Sequence, residues 1–404
     1  MAKSIGVNPV ERRGIMYTIN RRDFVKLGGI FGWGGVLDAA FLREGTERVQ
    51  LAQATKRPVN FTKDGIDLSP LEYARLLYEL AEAGKIRADN YSRGGTVEEL
   101  EIKFAEILGK ESAVFMPTGT LANHIALRKL AGEEKKVIVQ AESHIYNDSG
   151  DCAQILSGLN LVPLAPQRAT FNIEEVWSAV HKANSGRVLS PVGVVSIETP
   201  VRRMREQMFD FKEITKISTY AQNQGIRMHL DGARLFIAAV HSGIPPSEFA
   251  SKFDTVYTSL YKAFNAASGA ILAGTKEFTD DLFHLRRMFG GGMPQVWPFA
   301  AVALHYLPTF LEDYARALES AEIFFALLEK SETFHVEKFP NGTNVFKLSV
   351  EGADLHRFRE RLRQSDIFIP PPAKGERGFF MKTNASLNRM APEELASMFV
   401  EALG

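Results

Sequence analysis

A single cysteine, Cys152, stands among 404 residues. No disulfide can therefore form within the chain, and the fold must rest on its core. One thiol suits an oxidising or a reducing compartment alike. No apolar run reaches the roughly 18–20 residues that cross a bilayer as a helix. Charge of one sign is also lacking: Lys+Arg and Asp+Glu number 48 each. That balance argues against a nucleic-acid footprint or a polybasic membrane patch. Internal repeats and low-complexity tracts are absent beyond residue 55. What is present is a 45% hydrophobic content, ample for one large domain and a smaller one.

The segment Asn20-Arg21-Arg22-Asp23-Phe24-Val25-Lys26 precedes a mildly apolar, glycine-rich stretch from Leu27 to Leu37. Ala52-Gln53-Ala54 offers the small residues of a cleavage site. A twin arginine, a phenylalanine two residues later and a lysine two further on resemble a Tat export signal. Residues 1–54 are therefore expected to be a signal and linker, and the protein is expected to be exported to the periplasm or beyond.

After Thr55 the pattern becomes globular. Leu71, Ala74, Leu76, Leu77 and Leu80 have helical spacing within Ser69 to Ala83, and Gly84 is placed to end that helix. Thr96-Val97-Glu98-Glu99 reads as a capping box before a helix that runs to Leu108 and stops at Gly109. Seven short apolar runs then alternate with helical stretches: 113–116, 137–140, 161–164, 192–197, 227–230, 255–260 and 270–273. They are nearly continuous in apolar character, as strands covered on both faces should be. The expected fold class is α/β with a large, mostly parallel sheet. A hairpin around Pro340-Asn341-Gly342, a helix near 354–363, a strand at 378–382 and a helix at 392–403 predict a small C-terminal α/β domain. The expected division is 55–84 as an N-terminal segment, 85–300 as the large domain and 301–404 as the small one.

The residues that carry chemistry begin with His229-Leu230-Asp231-Gly232-Ala233-Arg234. An aspartate ending an apolar strand can pair with a pyridine nitrogen and keep it protonated. Lys262 can hold an aldehyde as a Schiff base. Together these are what a pyridoxal 5'-phosphate (PLP) site needs. Ser259, three residues before the lysine, can offer its hydroxyl to the phosphate. Thr118-Gly119-Thr120 lies between a strand and a helix, where free N–H groups and a partial positive charge form an anion site. His144 follows the strand at 137–140, where ligands sit in such sheets, and its imidazole can stack on a ring and exchange protons.

Arg93-Gly94-Gly95-Thr96 to Leu127, Gln140 to Tyr146, Ser196-Ile197-Glu198, His229 to Phe236, Ser259 to Lys262 and Met288 to Gln295 resemble the threonine aldolase family. This is the aromatic amino acid β-eliminating lyase/threonine aldolase group of fold type I PLP enzymes, and the resemblance spans about residues 89–298. It implies Lys262 as the Schiff-base lysine, Asp231 as the pyridine partner and Arg234 beside the cofactor and the substrate carboxylate. It also implies His144 on the ring, Gly119 and Thr120 on the phosphate, and a homodimer or homotetramer with shared sites. Tyr91-Ser92-Arg93 resembles the segment with which cystathionine-type lyases reach a neighbouring subunit's phosphate.

Three departures bear on the substrate. Asn60-Phe61-Thr62-Lys63-Asp64-Gly65 stands where the family has Asp-Leu-Arg-Ser-Asp-Thr. Phe380 stands where it has a carboxylate-binding arginine, with Arg377, Lys382 and Lys63 as candidates to compensate. Tyr261 and Phe264 crowd the lysine. The leading expectation is an exported PLP-dependent lyase that cleaves a β-hydroxy amino acid to glycine and an aldehyde. β-Elimination, transamination, racemisation and a non-catalytic binding role stay open as alternatives.

Overall fold

The computed structural model describes residues 58–373, 375 and 377–404. The export signal read in residues 1–54 lies outside them. Seven strands build the main sheet: β2 (Ser112–Met116), β3 (Lys136–Gln140), β4 (Asn160–Leu164), β5 (Val192–Glu198), β6 (Arg227–Asp231), β7 (Thr255–Ser259) and β8 (Ala270–Gly274). Their spatial order is β2-β8-β7-β6-β5-β3-β4. β4, β3, β5, β6 and β7 run parallel, and β8 is antiparallel to both β7 and β2. All seven residues of β5 and all five of β7 and β8 are buried. That is the reason these strands read as continuous apolar runs: helices cover both faces.

The helices follow local chemistry. Helix α1 (Pro70–Glu82) opens on a capping box in which Ser69 accepts from the Glu72 N–H and the Glu72 carboxylate accepts from the Ser69 N–H. Helix α2 (Gly95–Leu108) ends at Gly109 in the left-handed region, φ 61°. Its start differs from the expected capping box. Gly94 is the N-cap at φ 76°, so Thr96 lies inside the first turn, where its hydroxyl accepts from the Arg87 N–H at 2.8 Å.

The sheet's carboxyl edge is where a ligand can enter. β5 and β6 end side by side, with Glu198 in register with Asp231. The β3–β5 ladder stops at Ile138–Val195. Beyond it the Gln140 side chain takes over, donating to the Glu198 carbonyl at 2.7 Å and accepting from the Glu198 N–H at 2.9 Å. Helix α3 (Gly119–Ala131) starts from the same edge, after β2.

A second body has its own core. Strands β9 (Phe334–Lys338), β10 (Val345–Val350) and β12 (Gly378–Lys382) form an antiparallel sheet. Helix α4 (Phe310–Leu328) joins the bodies: Phe310 and Tyr314 pack in the first core, Ala317, Ala321, Phe324, Phe325 and Leu328 in the second. The sequence leaves residues 55–84 as a separate segment, but the structure places Val59 and Phe61 in this second core. There β1 (Val59–Asn60) pairs in parallel with β11 (Ile367–Phe368).

Candidate active site

Asp231, at the end of β6, is 5% exposed. Its carboxylate accepts from the Asn123 amide at 2.6 Å and from the Ala233 N–H at 3.2 Å. Asn123 lies on α3, and its carbonyl oxygen is 2.9 Å from His229 Nε2. His229 Nδ1 is 2.8 Å from the Thr255 hydroxyl. Because burial holds the His229 pKa down to about 4, the ring is neutral. It then donates from Nε2 to Asn123 and accepts from Thr255 at Nδ1, a tautomer set by its two partners. A hydrogen-bonded chain, Thr255–His229–Asn123–Asp231, thus fixes the aspartate's orientation.

One cavity of about 330 Å³ lies above this chain. Thr118, Gly119 and Thr120 form one wall, His144 and Glu198 another, and Asp231, Arg234, Tyr257, Tyr261 and Lys262 the rest. Thr118 caps α3 by accepting from the Leu121 N–H at 3.2 Å, which leaves the first N–H groups of the helix to an anion. Gly119 is required for a stated reason: a Cβ there would lie 1.9 Å from the Tyr257 hydroxyl oxygen.

Lys262 projects into this cavity. Its pKa is lowered to about 8 by burial and by the Arg234 guanidinium, against the opposing pull of Asp231. A lysine so tuned is unprotonated far more often at neutral pH than one at 10.5, as a nucleophilic amine must be. The His144 N–H donates to Glu198 at 2.5 Å, and its ring nitrogen Nδ1 is buried with no hydrogen-bond partner. Burial lowers the His144 pKa as well. Glu198 also accepts from the Arg202 N–H at 3.0 Å. Its pKa is raised to about 8 by burial first and by the neighbouring Asp231 charge second.

Arg234 is held from behind. Its Nε contacts Asp64 at 2.9 Å and Glu206 at 3.2 Å, and Lys382 reaches the same two acids at 2.7 and 3.1 Å. Burial pushes the Asp64 carboxyl up, but Arg234 and Lys382 outweigh it and hold it well below the usual range. The altered segment before α1 therefore sits against the lysine turn. Ile66 N–H donates to Asn265 at 2.8 Å, and a Cβ on Gly65 would lie 2.5 Å from the Lys262 carbonyl oxygen.

Of the residues expected from sequence, the structure brings Gly119, Thr120, His144, Asp231, Arg234 and Lys262 to one cavity. Ser259 is not on its wall. Ser259 is fully buried and its hydroxyl donates to the Ala233 carbonyl at 2.9 Å; Ser268 lines the cavity instead. Tyr91 and Arg93 line a separate depression, where Arg287 faces the Tyr91 ring and Arg93 faces Phe283. Phe380 lies under the Arg205 guanidinium, 3.7 Å from carbon to ring centroid. Of the three candidates to replace its arginine, Lys382 alone joins the Arg234 cluster, while Arg377 pairs with Glu351 at the surface. Sequence reasoning gave no role to Asn123, Arg202, Glu206 or Tyr257. The Asn123 position, four residues into the helix after the Thr-Gly-Thr turn, was the one signal available.

A mixed seven-stranded sheet with a lysine, an aspartate and a helix N-terminus at its carboxyl edge is fold type I, the architecture of PLP enzymes. The beta-eliminating lyase family matches residues 79–348, and the chain belongs to that family. It is 32% identical to the low-specificity L-threonine aldolase of Candida albicans over 53% of this chain and 58% of that protein. It is 30% identical to the alanine racemase TOXG of Cochliobolus carbonum over 52% of this chain and 53% of that one. The chain thus spans little more than half the length of these curated relatives. A solved structure described as a candidate L-allo-threonine aldolase of Listeria monocytogenes superposes with a TM-score of 0.71 at 27% identity, covering 86% of this chain and 96% of that one.

Proposed function

We propose that the cavity binds pyridoxal 5'-phosphate and that the protein is a lyase acting on amino acids. Its reaction is cleavage of the Cα–Cβ bond of a β-hydroxy amino acid to glycine and an aldehyde. One observation carries the reading: Lys262, Asp231, His144 and the Thr118–Thr120 turn converge on a single cavity although they come from four different segments. The donor set fits the group. The start of α3 suits a phosphate, the buried Asp231 suits a protonated ring nitrogen, the unpartnered His144 nitrogen faces a polar occupant, and Lys262 is tuned as an amine nucleophile.

When bound, the cofactor supplies an electron sink for the bond that breaks. The chain's own residues do the rest. Asp231, oriented by Asn123, keeps a positive charge on the ring nitrogen. Arg234 presents its terminal nitrogens to the substrate carboxylate while Asp64 and Glu206 hold its Nε. His144, neutral at pH 7, takes the hydroxyl proton directly or through a held water. Tyr261 and the Asp64–Ile66 segment crowd the lysine turn and restrict water.

The similarity to an alanine racemase favours one second reading, in which the same cavity removes and returns the α-proton. Purified protein with bound PLP, incubated with threonine, separates the two. Glycine with acetaldehyde supports the lyase, and an inverted amino acid supports the racemase. Failure of borohydride to fix the cofactor on Lys262 would sink the PLP assignment itself.

Export through the Tat route belongs to the same proposal, since that route carries folded, cofactor-loaded protein. It rests on Arg21-Arg22 and the residues after them, and an Arg21→Lys/Arg22→Lys variant should stay in the cytoplasm. A homodimer or homotetramer is proposed on the family resemblance and is checked by light scattering.

A further inference from the structure

Three cationic side chains line the cavity: Lys262, Arg234 and Arg202. In the reading above the first holds the cofactor and the second the α-carboxylate. Arg202 has no task. It follows β5, in the short turn Arg202–Met204, and nothing in the sequence pattern singles it out.

Its position is fixed by the residue that fixes His144. The Glu198 carboxylate accepts the N–H of His144 at 2.5 Å and the N–H of Arg202 at 3.0 Å. Both residues therefore stand on the same wall. The Arg202 guanidinium is at the mouth, with 46% of its side chain exposed. It contacts Asp148 through one terminal nitrogen. Asp148 is already held by Arg203 through two N–H groups, at 3.0 and 2.8 Å. Two guanidiniums thus share one carboxylate, so Arg202 keeps donors to give.

If the β-hydroxyl of the substrate meets His144, the other substituent on the β-carbon lies toward this wall. A methyl group gives the guanidinium nothing beyond its contact with Asp148. A carboxylate there satisfies it with charge-assisted hydrogen bonds. We propose that Arg202 is a specificity residue and that the preferred substrates are β-hydroxy α-amino acids carrying a second carboxylate on or just beyond the β-carbon. The Cα–Cβ bond breaks and the hydroxyl proton leaves to the His144 side. The β-carbon keeps its oxygen and becomes the aldehyde of a carboxylic acid. The α-carbon keeps the electron pair and takes a proton, giving glycine, so no oxidant or reductant is needed.

This inference rests on the lyase reading, and its test is chosen to fail separately. Calorimetric titration of the PLP-loaded protein compares aspartate with alanine, neither of which has a β-hydroxyl to cleave. Aspartate is expected to bind about tenfold more tightly or better, the ordinary scale for one charge-assisted pair. Arg202→Gln should abolish that preference and leave alanine binding unchanged, and Arg202→Lys should restore part of it. Equal affinity for the two ligands, or a preference that survives Arg202→Gln, overturns the proposal. In parallel, kcat/KM for 3-hydroxyaspartate should exceed that for threonine by about tenfold or more, and Arg202→Gln should erase the difference. If neither compound yields glycine while the aspartate preference persists and depends on Arg202, the lyase reading falls and the acidic-group site stands.

Discussion

Asn123 donates its side-chain amide to Asp231 at 2.6 Å, and this bond ends a chain that starts at Thr255, two strands into the sheet. Both hydrogen-bond donors to the aspartate, the Asn123 amide and the Ala233 N–H, are neutral, so they leave its negative charge in place for a ring nitrogen. Asn123→Leu removes that donor and leaves His229 Nε2 unpartnered. A lost hydrogen bond to a charged group is worth about 1.5–3 kcal/mol, so kcat/KM for aldol cleavage should fall about ten- to a hundredfold. Steady-state kinetics with the PLP content measured in parallel checks it.

Gly119→Ala should release the cofactor. The added carbon meets the Tyr257 hydroxyl oxygen at 1.9 Å and Tyr257 Cζ at 2.4 Å. Tyr257→Phe removes the oxygen alone and leaves the ring carbon in the way, so the double variant stays deficient. PLP retained after dialysis, read by absorbance, is the measurement.

Lys262 gives a pH signature in the apoprotein. Its folded pKa of about 8 lies below the ordinary 10.5, so the unfolded chain binds its proton more tightly. Stability from this residue therefore rises as pH climbs from about 8 to 10.5, and the charged buried amine is a cost below pH 8. Lys262→Met should be more stable than the parent below pH 8, with the gap closing toward 10.5. Urea melts of both apoproteins across that range test the sign.

Glu198 predicts a slope in the opposite direction. Its folded pKa of about 8 lies above the ordinary 4.5, so the folded state binds the proton more tightly. Its contribution is present in full below about 4.5 and is lost as pH rises to 8. Glu198→Gln, which cannot ionise, should gain on the parent across that window in paired thermal melts.

Lys382 holds two buried acids together with Arg234. Removing one partner of such a group commonly costs about 3 kcal/mol or more, because a buried charge is left uncompensated. Lys382→Met should therefore destabilise strongly, and adding Asp64→Asn should cost less than the sum of the two single changes. Denaturant titration of the four proteins of that cycle decides it.

The sheet was legible because strands buried on both faces leave continuous apolar runs, and cavity residues were legible where they close a strand, as Asp231 does, or open a helix, as Gly119 and His144 do; Lys262, in the turn after β7, was legible only together with Asp231. What was not legible depends on distance through space. Thr96 reads as a cap, but Gly94 caps the helix two residues earlier and frees the Thr96 hydroxyl for Arg87. Ser259 has the spacing for a phosphate contact, but the pleat turns it to the Ala233 carbonyl. Asp64 and Lys382 lie 318 residues apart, so no local pattern ties them to Arg234. Phe380 marks a departure in sequence, but the Arg205 guanidinium over its ring arises from packing between distant segments.

The pairing of Val59 with Ile367 sets an order of events during synthesis. The first strand of the folded chain leaves the ribosome long before its partner is made, so the second body cannot close until translation is almost finished. Asp64 and Gly65, a few residues beyond that strand, then reach Arg234 and the lysine turn only at the end. The support behind two cavity residues, Arg234 and Lys262, thus hangs on a strand pair whose halves come from opposite ends of the described chain.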